Sequence, residues 1–186
     1  MVEEFLYAIK SKLGLGPKSQ KWKHWVAQLD LKTCTQCRTM HGKIYSISES
    51  VPNMPPLHWY CRCEIKPMNT IASGECSKAR QNGADWWLMH RGSLPEYYIY
   101  IDDLRALGWK KSKAPSKYAP GKMVFGGTFG NKEGRLPNAP GRIWYEADLN
   151  YYSGRRNDHR LVWSNDGLFF VSYDHYESFI EVVVGG

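Results

Sequence analysis

The chain has 186 residues, 42% of them hydrophobic and 14% aromatic, with eight Trp and twelve Tyr. That composition excludes a disordered chain and allows one ordinary domain plus something small. The formal net charge is +7 but uneven: residues 1–93 carry 13 Lys and Arg against 7 Asp and Glu, and residues 94–186 carry 12 against 11. Bulk charge therefore favours nucleic acid in the front half only, and in the rear half an RNA contact has to come from clustered arginines.

Residues 3–13, EEFLYAIKSKL, place Phe5, Leu6, Ile9 and Leu13 near one face of a helix that Gly14 and Gly16-Pro17 end. The stripe is short, which favours a helix packed on the neighbouring module over a membrane anchor. No apolar run approaches spanning length, and the early acids and interrupting lysines are unlike a secretory signal. The expectation is a soluble chain with neither signal peptide nor transmembrane segment.

Cys34-x-x-Cys37 presents two thiolates from a tight turn, and His58-x-x-Cys61-x-Cys63 adds soft ligands some twenty residues later. Zinc takes four N or S ligands in a tetrahedron and can supply much of a small module's folding energy. Cys34, Cys37, Cys61 and Cys63 are the first-choice ligands, with His58 as substitute. The alternative is unligated structural cysteines with His58 satisfied in a turn, and His41, before a glycine, reads as a turn residue. The fifth cysteine, Cys76, has no partner in sequence, so the set suits metal ligation in a reducing compartment more than a disulfide framework. Trp25, Asp30, the C-x-x-C, His41-Gly42 and Pro55-Pro56-x-His58-x-x-Cys61-Arg62-Cys63 resemble the C-terminal end of phage Mu F-like minor head proteins. The resemblance covers residues 22–66 and implies phage or prophage ancestry.

Residues 66–83 are polar and rich in small residues, so the boundary between two parts is expected near Thr70. That divides the chain into 1–69, the helix and Cys/His module, and 70–186. Helical character is expected to begin within 66–83 and run to about Met89, with Gly92 ending it. IDDLRAL at 101–107 reads as a short helix with Asp102 and Asp103 at its positive end and Gly108 as its stop. Residues 110–122 read as a loop.

From Lys122 the pattern turns to strands. In GRIWYEADLN, Ile143, Tyr145, Ala147 and Leu149 alternate with Trp144, Glu146, Asp148 and Asn150, giving one apolar and one chemically equipped face. Ser153-Gly154 turns the chain, Asn165-Asp166-Gly167 is a hairpin signal between RLVWS and LFFVSY, and FIEVVV supplies a closing strand. Helices followed by strands give an α+β domain: helices on one face of an antiparallel sheet, the site on the other.

Glu146, Arg156, Arg160 and His175 are a carboxylate, two guanidiniums and an imidazole, which suffice for phosphodiester cleavage without a metal. In this order, within a segment running from about Ala84 to 184, they resemble the barnase family of guanyl-specific microbial ribonucleases. The resemblance implies a barnase-like fold over 70–186. It implies cleavage of single-stranded RNA after guanosine through a 2′,3′-cyclic phosphate, with Glu146 as general base, His175 as general acid and the two arginines on the phosphate. It makes GGTFGNKEGRLP at 126–137 the guanine-reading loop, with Glu133 on the base edge, Asn131 holding the loop's shape, and Lys132 in place of an arginine; the loop is one residue shorter before Phe129. Tyr176 would pack beside ribose and phosphate, Arg155 could add a phosphate contact, and Asp148 could support the base or be a plain structural hydrogen bond. Ile101 stands where the family has a phosphate-contacting lysine, and losing one such contact costs about 2.7–4 kcal/mol of transition-state stabilisation unless something compensates; Arg155 or Lys132 are the candidates.

The resemblance also implies an acidic, barstar-like inhibitor protein whose carboxylates would meet the Arg156/Arg160 cleft. Together the two resemblances suggest a toxin or effector made in bacterial or phage-directed cytoplasm. It would be virion-associated or delivered without a signal peptide, with phage or secretion-machinery proteins as partners of the front module. The competing reading is a non-enzymatic zinc-knuckle binding module that keeps a vestigial ribonuclease fold, which Ile101 favours.

Overall fold

The structure, a computed structural model, describes residues 17–185; the helix expected at 3–13 lies outside the described residues. Among the described residues there are nine strands: β1 (Lys18–Ala27), β2 (Ile44–Ser46), β3 (Cys63–Ala72), β4 (Tyr98–Tyr100), β5 (Met123–Phe129), β6 (Trp144–Asp148), β7 (Arg160–Ser164), β8 (Phe169–Ser172) and β9 (Ile180–Val183). They form one sheet in the order β2-β1-β3-β9-β8-β7-β6-β5-β4. Among the described residues three α-helices accompany it: α1 (Thr35–Met40), α2 (Ala84–Arg91) and α3 (Ile101–Ala106).

Two expectations need correction. The sheet is not wholly antiparallel: β3 joins β9, and β4 joins β5, in parallel. The second of these joins is a strand–helix–strand crossover through α3, since parallel neighbours cannot be linked by a tight turn. Within residues 66–83 helical character is limited to a single 3-10 turn at Arg80–Asn82. These residues continue β3 to Ala72, and α2 starts only at Ala84. Thr70, near which the boundary is expected, lies in β3 and pairs with Glu181, as Ile71 does with Val182. The C-x-x-C turn is the start of a helix: Cys34 caps α1, its sulfur accepting from the Cys37 N–H.

The helices α2 and α3 end where the sequence marks them. Gly92, at φ +69, takes the left-handed position that closes α2. Asp85 in the first turn of α2 is fully buried and accepts from the Gly74 and Cys76 N–H groups, tying the helix to the end of β3.

Alternation along the strands separates two cores. On one face Leu149, Leu161, Val171, Ile180 and Val182 pack with Ala84, Leu88 and Met89 of α2. On the other, Trp144, Val162, Phe170 and Phe179 pack with Leu136 and with Ile44, Met68 and Trp22 from the front of the chain. Phe170 and Met68 are fully buried, and burial on that scale contributes about 1.5–3 kcal/mol per side chain. A third cluster, Leu104, Trp109, Ala119 and Val124, sits beneath α3 with Ile101 packed against it. No helix among the described residues is long and apolar enough to cross a membrane.

Candidate active site

The second face carries the chemistry. Strand β6 puts Trp144, Glu146 and Asp148 on it in alternate positions, and the register places Glu146 opposite Val162 and Asp148 opposite Arg160. A bulge between Phe125 and Gly127 on β5 sits directly beside Glu146; bulges of this kind commonly re-aim a side chain at a site. A Cβ on Gly126 would lie 2.6 Å from Glu146 Oε1, so the glycine leaves the carboxylate its space.

Asp148 has no exposed surface. It receives Arg156 through two bonds, Nε to Oδ2 at 2.8 Å and Nη2 to Oδ1 at 2.5 Å, and Arg160 Nε lies 3.3 Å from Oδ1. Arg160 Nη1 also donates to the carbonyls of Asn157, at 2.6 Å, and His159, at 2.7 Å. Burial opposes the Arg156 charge, but its bonds to the Asp148 carboxylate outweigh that and hold the guanidinium above its ordinary pKa. One buried carboxylate thus sets two arginines side by side at the floor of a cleft, leaving part of their charge for an anion.

The third wall is the turn after β8. His175 and Tyr176 both have positive φ, +54 and +72, a conformation that side chains keep only where the surroundings hold it. Here the His175 N–H donates to the Asp158 carbonyl at 3.1 Å and the Tyr176 N–H to Ser172 Oγ at 2.8 Å. Asp174 braces the turn through Ser172 Oγ and the Ser178 N–H and hydroxyl. The His175 ring is exposed. The Tyr176 hydroxyl donates to Glu146 Oε2, and burial followed by that carboxylate's charge pushes its pKa well up. Its ring stacks on Phe129 at 4.8 Å.

Glu146, Arg156, Arg160, His175 and Tyr176 line one cleft of about 340 Å³. Asn131, Lys132 and Glu133 line it from the 126–137 loop. The Asn131 side chain closes that loop on itself, donating to the Leu136 carbonyl at 2.9 Å and accepting from the Leu136 N–H at 3.0 Å. Asp148 lies under the arginines, and Arg155 is exposed and outside the cleft lining. Lys111, from the segment read only as a loop, lines the cleft as well. No local pattern marks it; only the fold carries residues 110–122 to the site. Ile101 instead packs against the cluster under α3.

The Cys/His residues also come together. His58 Nε2 lies 3.2 Å from Cys34 Sγ and 3.3 Å from Cys37 Sγ, and Cys37 Sγ is 3.8 Å from Cys61 Sγ. Cys34, Cys37 and His58 form one compact group and Cys37, Cys61 and Cys63 another. Around a tetrahedral zinc ion, Zn–S and Zn–N bonds of about 2.3 and 2.0 Å set ligand–ligand edges of roughly 3.5–3.8 Å; the Cys37–Cys61 spacing matches, the His58 spacings are slightly shorter, and the donor set suits a metal. His58 Nδ1 lies 2.8 Å from the Trp59 carbonyl; a proton there leaves Nε2 with a free lone pair, an arrangement common in metal-binding histidines. A bond from the Cys37 N–H lowers the Cys34 thiol, and although burial opposes it, backbone bonds bring the Cys61 thiol down to about 7. His41 caps α1 and accepts the Ala27 N–H through Nδ1.

A carboxylate, two clamped guanidiniums and an imidazole thus line one cleft of an α+β sheet, a set that can hold a phosphate and move protons on either side of it. The chain belongs to the ribonuclease family, whose model, described as "ribonuclease", matches residues 63–183. It is 46% identical over 102 residues to a ribonuclease of Heyndrickxia coagulans, covering 54% of this chain and 94% of that protein. It is equally similar to ribonucleases of Bacillus intermedius and Bacillus pumilus, of which it spans 63%. Residues 12–66 are similar to the family described as "Phage Mu protein F like protein".

Proposed function

We propose that this ribonuclease cleaves single-stranded RNA after guanosine, without a metal, by transesterification to a 2′,3′-cyclic phosphate. Glu146 takes the 2′-hydroxyl proton, the 2′-oxygen forms a bond to phosphorus, and the bond from phosphorus to the 5′-oxygen breaks as His175 protonates that oxygen. Arg156 and Arg160 donate to the phosphate oxygens as negative charge builds on them. The observation that carries this reading is the convergence of those four side chains on one cleft.

Lys111 lines the same cleft, and we assign to it the positive charge that Ile101 cannot supply. Glu133 takes the guanine N1–H and amino group, which adenine does not offer, while the loop closed by Asn131 turns its N–H groups to O6 and Lys132 faces the phosphates. Tyr176 lies beside the ribose, its bond to Glu146 giving way to the substrate hydroxyl. Short guanosine-containing RNA is the test, with and without EDTA and with cleavage ends mapped. Cyclic phosphate 3′ to guanosine, unaffected by EDTA and lost in Glu146→Ala and His175→Ala, is expected. Undiminished cleavage by His175→Ala refutes the assignment.

The front segment, on this proposal, binds a structural zinc ion with four ligands drawn from Cys34, Cys37, Cys61, Cys63 and His58. It docks the enzyme on phage or delivery proteins, making the whole a toxin of phage ancestry whose producer restrains it with an acidic inhibitor seated on the Arg156/Arg160 cleft. What favours this second role is the similarity of residues 12–66 to a phage family, together with Trp59 and Tyr60 exposed beside the cluster.

A further inference from the structure

One side chain bridges the front of the chain and the turn that carries His175. Arg135 ends the loop that walls the cleft, and three of its polar groups are engaged. Its carbonyl accepts the Ile44 N–H at 2.8 Å, its Nε donates to the His41 carbonyl at 3.3 Å, and its Nη1 donates to the Tyr176 carbonyl at 2.7 Å. One guanidinium therefore ties the 41–44 turn to the turn that carries His175. Gly42 presses the same turn from its other end: at φ +79, a Cβ there would meet the Glu177 carbonyl at 2.7 Å. Ile44 and Met68 bury against Leu136, Phe179 and Trp144, with Tyr176 packed on the same cluster, so the contact has an apolar floor.

We propose that Arg135 is a positioning residue through which the front segment, at His41–Ile44, fixes the turn that aims His175 at the departing oxygen. The His175–Tyr176 backbone is held at positive φ from below by Asp158 and Ser172, and Arg135 holds the Tyr176 carbonyl from the front side. A turn at positive φ keeps that conformation only while its surroundings hold it, and misplacing a reacting group by about 1 Å can cost on the order of a hundredfold. The inference deepens the proposed reaction and rests on His175 being its acid.

The test uses the full chain and two substrates. One is guanylyl-(3′→5′)-adenosine, whose leaving oxygen needs a proton. The other is guanosine 3′-(4-nitrophenyl phosphate), whose leaving group departs as an anion. His175→Ala should slow the first selectively. Arg135→Ala should do likewise, with kcat down roughly ten- to a hundredfold, KM little changed and the aryl ester cleaved at the parent rate. Arg135→Lys, which can still reach one carbonyl, should recover part of the loss, and Gly42→Ala should reproduce it. Arg142→Ala, which breaks an ion pair with Asp166 at the far hairpin, should show no such selectivity. The His175 ring-proton resonance should move in Arg135→Ala but not in Arg142→Ala. Equal loss on both substrates in Arg135→Ala, with His175→Ala selective, overturns the inference. If His175→Ala is itself unselective, the acid assignment falls and the inference with it; a resonance shift would then show only that Arg135 orders the turn.

Discussion

Asp148→Asn is the perturbation that probes the site most directly. The substitution keeps shape and removes charge from a carboxylate with no exposed surface, beneath side chains that are 20% exposed for Arg156 and 4% for Arg160. Two of its contacts are well-aligned bonds to Arg156 and the third is an ion-pair contact to Arg160. Breaking a buried pair by removing one partner costs about 3–5 kcal/mol, because the remaining charge is left uncompensated; the amide keeps an acceptor oxygen, so the lower end, about 3 kcal/mol, is expected. Urea denaturation at pH 7 measures it. A second readout separates this from general loosening: with the internal counter-ion gone, inorganic phosphate should bind the folded variant more tightly and raise its melting temperature more than it raises the parent's. A loss below about 1 kcal/mol, the size of a surface pair, together with an unchanged phosphate response, refutes the argument that Asp148 is what holds the arginines at the cleft floor.

Three other residues or clusters carry expectations of their own. Burial, then the charges of His41, Lys18 and Lys66, lower the His24 pKa to about 4 from an ordinary value of 6.5. The folded state therefore binds fewer protons than the unfolded one, and the contribution is complete above about pH 6.5 and lost as pH falls towards 4. Its ceiling is roughly 3 kcal/mol, and His24→Gln should flatten urea midpoints between pH 7 and 4.5. Lys111→Ala should lower kcat/KM by about a hundredfold at most and weaken the salt dependence, with Ile101→Lys recovering part; an unchanged rate removes Lys111 from the site. Purified chain should carry about one zinc per molecule by elemental analysis. Metal removal should lower thermal stability and bring the thiols into reaction, and thiols that react equally fast before and after chelation would count against a bound ion.

Much of this site was legible because its chemistry lies on regular strands. Alternation alone puts Glu146 and Asp148 on one face, and Asn165-Asp166-Gly167 sets the β7–β8 hairpin that returns the chain to His175. What alternation cannot give is partnership across strands. Only the register that sets Asp148 against Arg160 turns a polar strand residue into a buried clamp. Strand β3 was hidden for the same reason: its polar, small residues read as a junction, and one of its two partners, β9, lies over a hundred residues away. Lys111 and Gly126 had no local signal, since one is a loop lysine carried in by the fold and the other is a bulge that matters only for what stands beside it.

The two regions of similarity meet in that same strand. The phage-like match ends at residue 66 and the ribonuclease match begins at 63, and both limits fall within β3, whose first residue, Cys63, belongs to the cysteine cluster and whose last three pair with β9. A flexible linker would let each part fold and move alone. A shared strand does the opposite, because shifting β3 by one residue would turn Met68 and Ile71 to the wrong faces of the sheet at once. Register at the cluster end and register at the β9 end are therefore one variable. Met68 packs in the same core as Trp144 and Phe179, so ordering of the front segment is expected to reach that core through the continuous strand.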